Sequence, residues 1–76
     1  MKEVINILTG KLEEVVGMAY ERNTKVNSVE RDDLMKAAAE LLKLIDKLCD
    51  KHDVDFPDEA VDINVDLDDY FGKAIL

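Results

Sequence analysis

Cys49 and His52 are the residues whose types and spacing come nearest to nucleophilic chemistry. Residues three apart are neighbours on a helix, so the imidazole could activate the thiol, with Asp53 as a third, orienting group. No glycine-rich turn or oxyanion site accompanies the pair. We therefore expect Cys49 to act as a small apolar side chain and His52 to interact with carbonyl groups at a helix end. No catalytic residue is predicted, and we expect a protein that is not an enzyme.

The segment Asp62-x-Asn64-x-Asp66 resembles the opening of a calcium loop of the EF-hand type. The remainder of such a loop is missing, because Leu67 stands where the sharp turn needs glycine and Lys73 where a bidentate glutamate should be. In an extended segment, side chains two residues apart are also separated by over about 6 Å. We therefore predict no metal site, and nothing else in the sequence calls for a cofactor.

The negative charge is concentrated in one stretch of the chain. Of the 18 acidic residues, nine lie between Asp50 and Asp69, where Lys51 is the only basic residue, and the formal net charge of the chain is -8. Such an imbalance argues against direct binding to nucleic acid phosphates. It is compatible with a solubilising surface or with recognition of a basic partner.

Two hypotheses for function follow from this stretch. In the first, the C-terminal arm, residues 54–76, is part of a small regulator or inhibitor and binds a basic protein surface, where its carboxylates imitate a phosphate chain. In the second, the arm holds a homo-oligomer together as part of a structural assembly subunit. The partner-binding residues predicted by the first hypothesis are Asp55, Asp58, Glu59, Asp62, Asp66, Asp68 and Asp69.

The length of 76 residues predicts one domain, residues 1–76, that buries too little surface to be very stable alone. Self-association is one remedy, since the lone cysteine has no second cysteine in the sequence to pair with. The N-terminal apolar stretch is short and interrupted by polar residues, so we expect neither a signal peptide nor a membrane span. We expect a cytoplasmic protein without membrane partners.

The strongest helical pattern runs through helix two, predicted over residues 28–53 with Asn27 or Ser28 as its N-cap. Its apolar residues fill about half of the helix circumference, which is wider than one neighbouring helix covers. Helix one, residues 1–22, shows a similarly widened face, whose main apolar residues are Ile5, Leu8, Leu12, Val15, Val16 and Ala19. We therefore predict a homodimer whose interface includes Leu34, Leu41, Leu42, Ile45, Leu48, Ile7 and Met18.

The arm contains one further pattern, a strict alternation of apolar and polar residues from Val61 to Asp68. This period is typical of a half-buried strand, although a single strand leaves its backbone groups unpaired. The segment is thus interpreted as a short strand or an irregular arm. A short terminal helix is expected to begin near Asp68, with a shared apolar face made of Leu67, Phe71, Ala74 and Ile75. The predicted fold class is all-α, an antiparallel helical hairpin with an acidic arm, dimerising into a four-helix bundle.

Overall fold

A computed structural model describes residues 1–20 and 28–76, most of which lie in three helices. These are α1 (Lys2–Tyr20), α2 (Ser28–His52) and α3 (Asp58–Phe71). The described residues include no strand, so the all-α prediction is confirmed. The predicted N-cap at Asn27 and the predicted end of helix one at Arg22 lie outside the described residues.

The central element is α2, whose 25 residues extend about 37 Å at 1.5 Å per residue. This length nearly equals the longest dimension of the molecule, 39 Å. Glu30 in the first turn and Lys51 and His52 in the last turn complement the helix dipole at both ends. Five buried side chains of α2 belong to one core cluster with residues of α1 and α3; they are Met35, Ala38, Leu42, Ile45 and Cys49.

The end of α2 is a left-handed turn at Asp53, whose φ is 54°. The N–H of Val54 donates to the carbonyl of Cys49 at 2.9 Å, which is the six-residue hydrogen bond of a Schellman motif. Aspartate tolerates this conformation better than most residues with a side chain. The chain then continues without regular structure through residues 54–57 and enters α3.

The core face of α1 matches the predicted apolar spacing, with Ile5, Leu12, Val16 and Ala19 buried. Thr9 is also buried, at a position that the apolar pattern omits. Its hydroxyl donates to the carbonyl of Ile5 at 2.8 Å, so the polar atom is satisfied within its own helix. The threonine methyl group can therefore join the core without an unpaired hydroxyl.

A hydrogen bond from Arg31 joins the beginning of α2 to the end of α1. The Arg31 Nε–H donates to the carbonyl of Ala19 at 2.8 Å. The last turn of α1 has no basic residue of its own. Arg31 therefore supplies both a donor to a carbonyl in the last turn of α1 and a positive charge near the negative end of the α1 dipole.

Both interpretations of residues 61–68, a short strand and an irregular arm, are wrong, because these residues belong to α3. Ala60, Ile63 and Leu67 recur at helical spacing and are buried together, whereas Val61 and Val65 of the alternating pattern are exposed. A helix satisfies the backbone groups of the segment internally, while a single strand leaves them unpaired. Asp58 and Glu59 further favour the helix from its first turn.

The predicted terminal helix beginning near Asp68 is also wrong, because α3 ends at Phe71. Gly72 stops it in the left-handed conformation, with φ of 67°, and the N–H groups of Gly72 and Lys73 both bond to the carbonyl of Asp68. Ala74 is exposed, and Ile75, half-buried, packs against the core from beyond the helix. The shared face predicted for these residues therefore does not form.

The glycines give a test of this structure. A Cβ atom built at Gly17 meets open space, and Gly17 lies inside an exposed part of α1. Gly17→Ala should therefore raise the free energy of unfolding by up to about 1 kcal/mol through helix propensity. Gly72→Ala should lower it by about 1 kcal/mol, because alanine is strained at positive φ. Urea unfolding of dilute protein measures both, and a stabilising Gly72→Ala would contradict the cap geometry.

Candidate partner-binding surface

Five carboxylates form an exposed acidic face on α3. At 100° per residue they occupy an arc of about 100°, on the side of the helix away from the buried Ala60, Ile63 and Leu67. All five residues are exposed to solvent. The acidic face is defined by Asp58, Glu59, Asp62, Asp66 and Asp69.

Apolar and aromatic residues border the acidic face. Val61 and Val65 lie one turn apart along one edge and are 45% and 62% exposed. Tyr70 lies along the other edge and is also partly exposed. The surface thus combines dense negative charge with a small apolar strip, which is the composition expected where charge guides an encounter and apolar contact holds it.

The acidic face has no internal counter-charge. Within the described residues, ion pairs join Lys11 to Glu14, Lys36 to Asp32 and Lys43 to Glu40, all outside α3. The α3 sequence contains no lysine or arginine. The carboxylates of the acidic face therefore repel one another, and their negative charge is directed to solvent.

Asp55, Asp58 and Glu59 meet at an open groove of about 540 Å³ between the start of α1 and the start of α3. Lys2 and Asn6 of α1 also line it, as does Asp53. The structure thus brings three of the predicted partner-binding residues to one place. Asp62, Asp66 and Asp69 continue away from this groove along α3.

Asp68 differs from the other predicted partner-binding residues. Its side-chain Oδ1 accepts a hydrogen bond from the backbone N–H of Ile75 at 2.8 Å. Its own carbonyl accepts the two amides that follow the helix. Asp68 is half-buried and fastens the last residues of the chain to the end of α3. Its position thus gives it a structural role.

A polar cluster of Asp32, Lys36 and Tyr70 links α2 to α3. Lys36 Nζ lies 2.9 Å from Asp32 Oδ2, and the Tyr70 hydroxyl donates to Asp32 Oδ1 at 3.3 Å. The hydrogen bond from Lys36 lowers the pKa of Asp32, and the same bond raises the pKa of Lys36. Partial desolvation, together with the charge of Asp32, raises the pKa of Tyr70. Tyr70 therefore holds its proton at neutral pH, and the cluster orients α3 on α2.

Cys49 has the surroundings of a structural thiol. It is buried, and its Sγ lies 3.9 Å from the carbonyl oxygen of Asp55, to which the S–H is a weak donor. Burial, assisted by the charges of Asp46 and Asp55, raises the pKa of the Cys49 thiol. A raised pKa reduces the thiolate fraction on which nucleophilic chemistry depends. His52 is exposed in the last turn of α2.

The residues of the calcium-like motif diverge on α3. Asp62 and Asp66 share the acidic face, whereas Asn64 lies about 200° around the helix from Asp62. Asn64 is half-buried, and its Oδ1 is enclosed without a hydrogen-bond partner in the described part of the chain. Helical geometry therefore places Asn64 away from Asp62 and Asp66, whereas a calcium loop would bring all three together.

The residues predicted for a dimer interface fall into three groups. Leu42 and Ile45 are fully buried within one chain, so a second copy docked on this fold would not contact them. The half-buried Leu34, Leu41 and Leu48 pack against the core. Ile7 and Met18, both on α1, are 64% and 44% exposed. The breadth of the α2 face is explained by α1 and α3, which both contribute to its core cluster.

Local sequence patterns did not predict the contacts made by Asp32, Asp68 and Tyr70. The contact of Asp32 with Tyr70 joins residues that are 38 positions apart in the chain. The contact of Asp68 with Ile75 forms only because the chain reverses after Gly72. One signal was present for the end of α3: a glycine directly after an apolar helical position, which is a frequent helix stop. The alternation from Val61 to Asp68, which is typical of a strand, favoured an extended segment more strongly than this glycine favoured a helix end.

In the described residues, no helix is long and apolar enough to cross a bilayer. Comparisons of the chain with protein-family models, with curated proteins and with solved structures found no match. The candidate partner-binding surface is therefore identified from its geometry and charge alone.

The role of Asp68 can be tested with two neighbouring aspartates. Asp68→Ala removes the acceptor for the Ile75 amide and should lower the free energy of unfolding by about 0.5–1.5 kcal/mol. Asp68→Asn retains an acceptor oxygen and should cost less. The matched control is Asp69→Ala, which makes the same change of residue type one position away on the exposed face. An equal loss in the control would contradict the structural role.

The buried thiol predicts a dependence of stability on pH. Because folding raises the pKa of Cys49 above its ordinary value of 9.0, the thiol contributes stability that is present below about pH 9 and lost as pH rises further. Unfolding free energies at pH 7.5 and 10 should therefore fall more for the natural chain than for Cys49→Ala. Equal losses in the two proteins would show that the folded state tolerates the thiolate.

Proposed function

We propose that this protein is a small, non-enzymatic interaction module, a regulator or inhibitor, whose acidic face binds a basic surface on another protein. The observation that carries the proposal is the acidic face itself: five exposed carboxylates on one side of α3, a helix that contains no lysine or arginine of its own. A surface of this kind attracts basic partners and speeds their encounter.

The distribution of charge on α3 works against the stability of the helix. Asp58 and Asp62, and then Asp62 and Asp66, are like-charge pairs four residues apart, which destabilise a helix by about 0.2–0.5 kcal/mol each. Asp66 and Asp69 also lie toward the negative end of the helix dipole. Folding stability alone would favour lysines at that end of the helix. The cost supports a role in binding.

The spacing of the carboxylates supports a likeness to nucleic acid. The acidic face runs from Asp58 to Asp69, a distance of 11 residue steps or about 17 Å along the axis, and so presents one charge per about 4 Å. One strand of duplex DNA presents one per about 3.4 Å. A groove built to hold a phosphate backbone would therefore find a similar charge density on α3. In this proposal the carboxylates that imitate a phosphate chain lie on a helix, and not on the extended arm expected from the sequence.

A second candidate function is that of a structural assembly subunit. The exposed Val61 and Val65 favour it, since an apolar strip of this kind would pack against a second chain. In this proposal α1 and α2 form an antiparallel hairpin, supported by the contact of Arg31 with Ala19, and two copies form a four-helix bundle. In either case we propose a cytoplasmic location, which a free buried cysteine suits.

The experiment that tests the main proposal compares two variants of equal net charge. Asp62→Asn/Asp66→Asn/Asp69→Asn neutralises three carboxylates of the acidic face. The control, Glu13→Gln/Asp46→Asn/Asp50→Asn, neutralises three exposed carboxylates on α1 and α2. A partner captured from native cells by the natural chain should bind the control normally. It should bind the acidic-face variant at least about tenfold more weakly, mainly through slower association.

Salt and competition complete the test. Binding of the natural chain should weaken strongly between about 50 and 200 mM salt, and duplex DNA should compete if the partner surface is a phosphate groove. Equal binding of the two variants would end the proposal. If Val61→Ser/Val65→Ser abolishes self-association, and both charge variants assemble and bind normally, the assembly function is favoured instead.

A further inference from the structure

The outer side of α1 carries a narrow exposed row that the other helices the structure describes do not cover. Ile7, Lys11, Glu14 and Met18 follow one another at steps of four, three and four residues, so they lie within an arc of about 60°. All four are exposed. This row, the outer row, has the spacing by which helices pair in coiled coils.

The outer row is symmetric about its own centre. Ile7 and Met18 lie equally far from the point between Leu12 and Glu13, and so do Lys11 and Glu14. The two outer positions are apolar, and the two inner positions are opposite charges whose side chains lie 3.5 Å apart. A two-fold axis through this point would therefore place each apolar residue against the other and each charge against its opposite.

We propose that α1 pairs in antiparallel orientation with α1 of a second copy of this chain, about a two-fold axis between Leu12 and Glu13. Ile7 of one copy packs on Met18 of the other at each end. Lys11 of one copy faces Glu14 of the other at the centre. The two intrachain pairs thereby become a four-charge network shared by both copies.

Orientation follows from the same charges. In a parallel pair, equivalent residues face each other, so Lys11 would meet Lys11 and Glu14 would meet Glu14. Like charges facing each other across an interface disfavour pairing. Only the antiparallel register satisfies the apolar and the charged positions together. A second copy of this chain is therefore a better occupant of the outer row than an unrelated apolar helix.

The size of the outer row sets the strength of the association. A stable interface takes about 800 Å² from each partner, which is about 15% of the 5286 Å² surface of this chain. The helix α1 is about 28 Å long and about 10 Å across, so one of its faces offers less than that. The pairing therefore belongs with weak, reversible interfaces, with a dissociation constant between about 10 µM and 1 mM.

This inference does not depend on the proposed function. The outer row lies on α1 and the acidic face on α3. Variants of Lys11 and Glu14 leave every carboxylate of the acidic face in place. A failure of self-association and a failure of partner binding can therefore be distinguished.

Charge reversal tests the register. Lys11→Glu alone and Glu14→Lys alone each place like charges across the axis twice, and each should weaken self-association by at least about tenfold. The double variant Lys11→Glu/Glu14→Lys should restore it. An equimolar mixture of the two single variants should form a heterodimer, since every cross pair is then attractive. Sedimentation equilibrium from about 10 µM to 1 mM measures all four samples.

An apolar control separates association from folding. Ile7→Asp should abolish self-association, whereas Val29→Asp should leave it unchanged, because Val29 is 69% exposed on α2 and lies off the outer row. Circular dichroism should show equal helix content for both. A natural chain that stays monomeric at 1 mM would overturn the proposal. So would a dimer whose dissociation constant is unchanged by both single reversals.

Discussion

The broad apolar face of α2 is the constraint on which the rest of the structure depends. Met35, Leu42 and Ile45 have no exposed surface, and they belong to one core cluster with residues from both other helices. A chain of this length has little other apolar area to bury, so α2 needs α1 and α3 together. The C-terminal arm is consequently part of the core, and its position on α2 decides which of its residues reach solvent.

This packing determines the chemistry of the arm. Because Ala60, Ile63 and Leu67 occupy the inner side of α3, the carboxylates between them are turned outward into one acidic face. Fixed on a helix, they are held in a defined pattern and lose less conformational freedom on binding than those of a flexible arm. Asp68 is the exception, because its carboxylate accepts a hydrogen bond from the Ile75 amide and so holds the end of the chain.

The sequence predicted the parts of the fold that depend on local periodicity. The core face of α1 and the extent of α2 followed from apolar spacing, since burial enforces that spacing. The segment from Val61 to Asp68 was misinterpreted because alternation fits a strand, while Ile63 and Leu67 fit a helix equally well. The helix is favoured because it satisfies the backbone hydrogen bonds of the segment internally, whereas a single strand leaves them unpaired. Contacts such as that of Tyr70 with Asp32 depend on tertiary packing, which a local pattern does not encode. The charge of the candidate surface was visible in the sequence, but its arrangement on one side of a helix was not.

The most direct test of the proposed binding surface is a map of backbone amide chemical shifts during titration with a partner captured from native cells. We expect the perturbed amides to cluster on residues 58–69, with the largest changes near Asp62, Val65 and Asp66. Shifts that cluster instead on the exposed sides of α1 and α2, with α3 unperturbed, would contradict the acidic face as the binding surface.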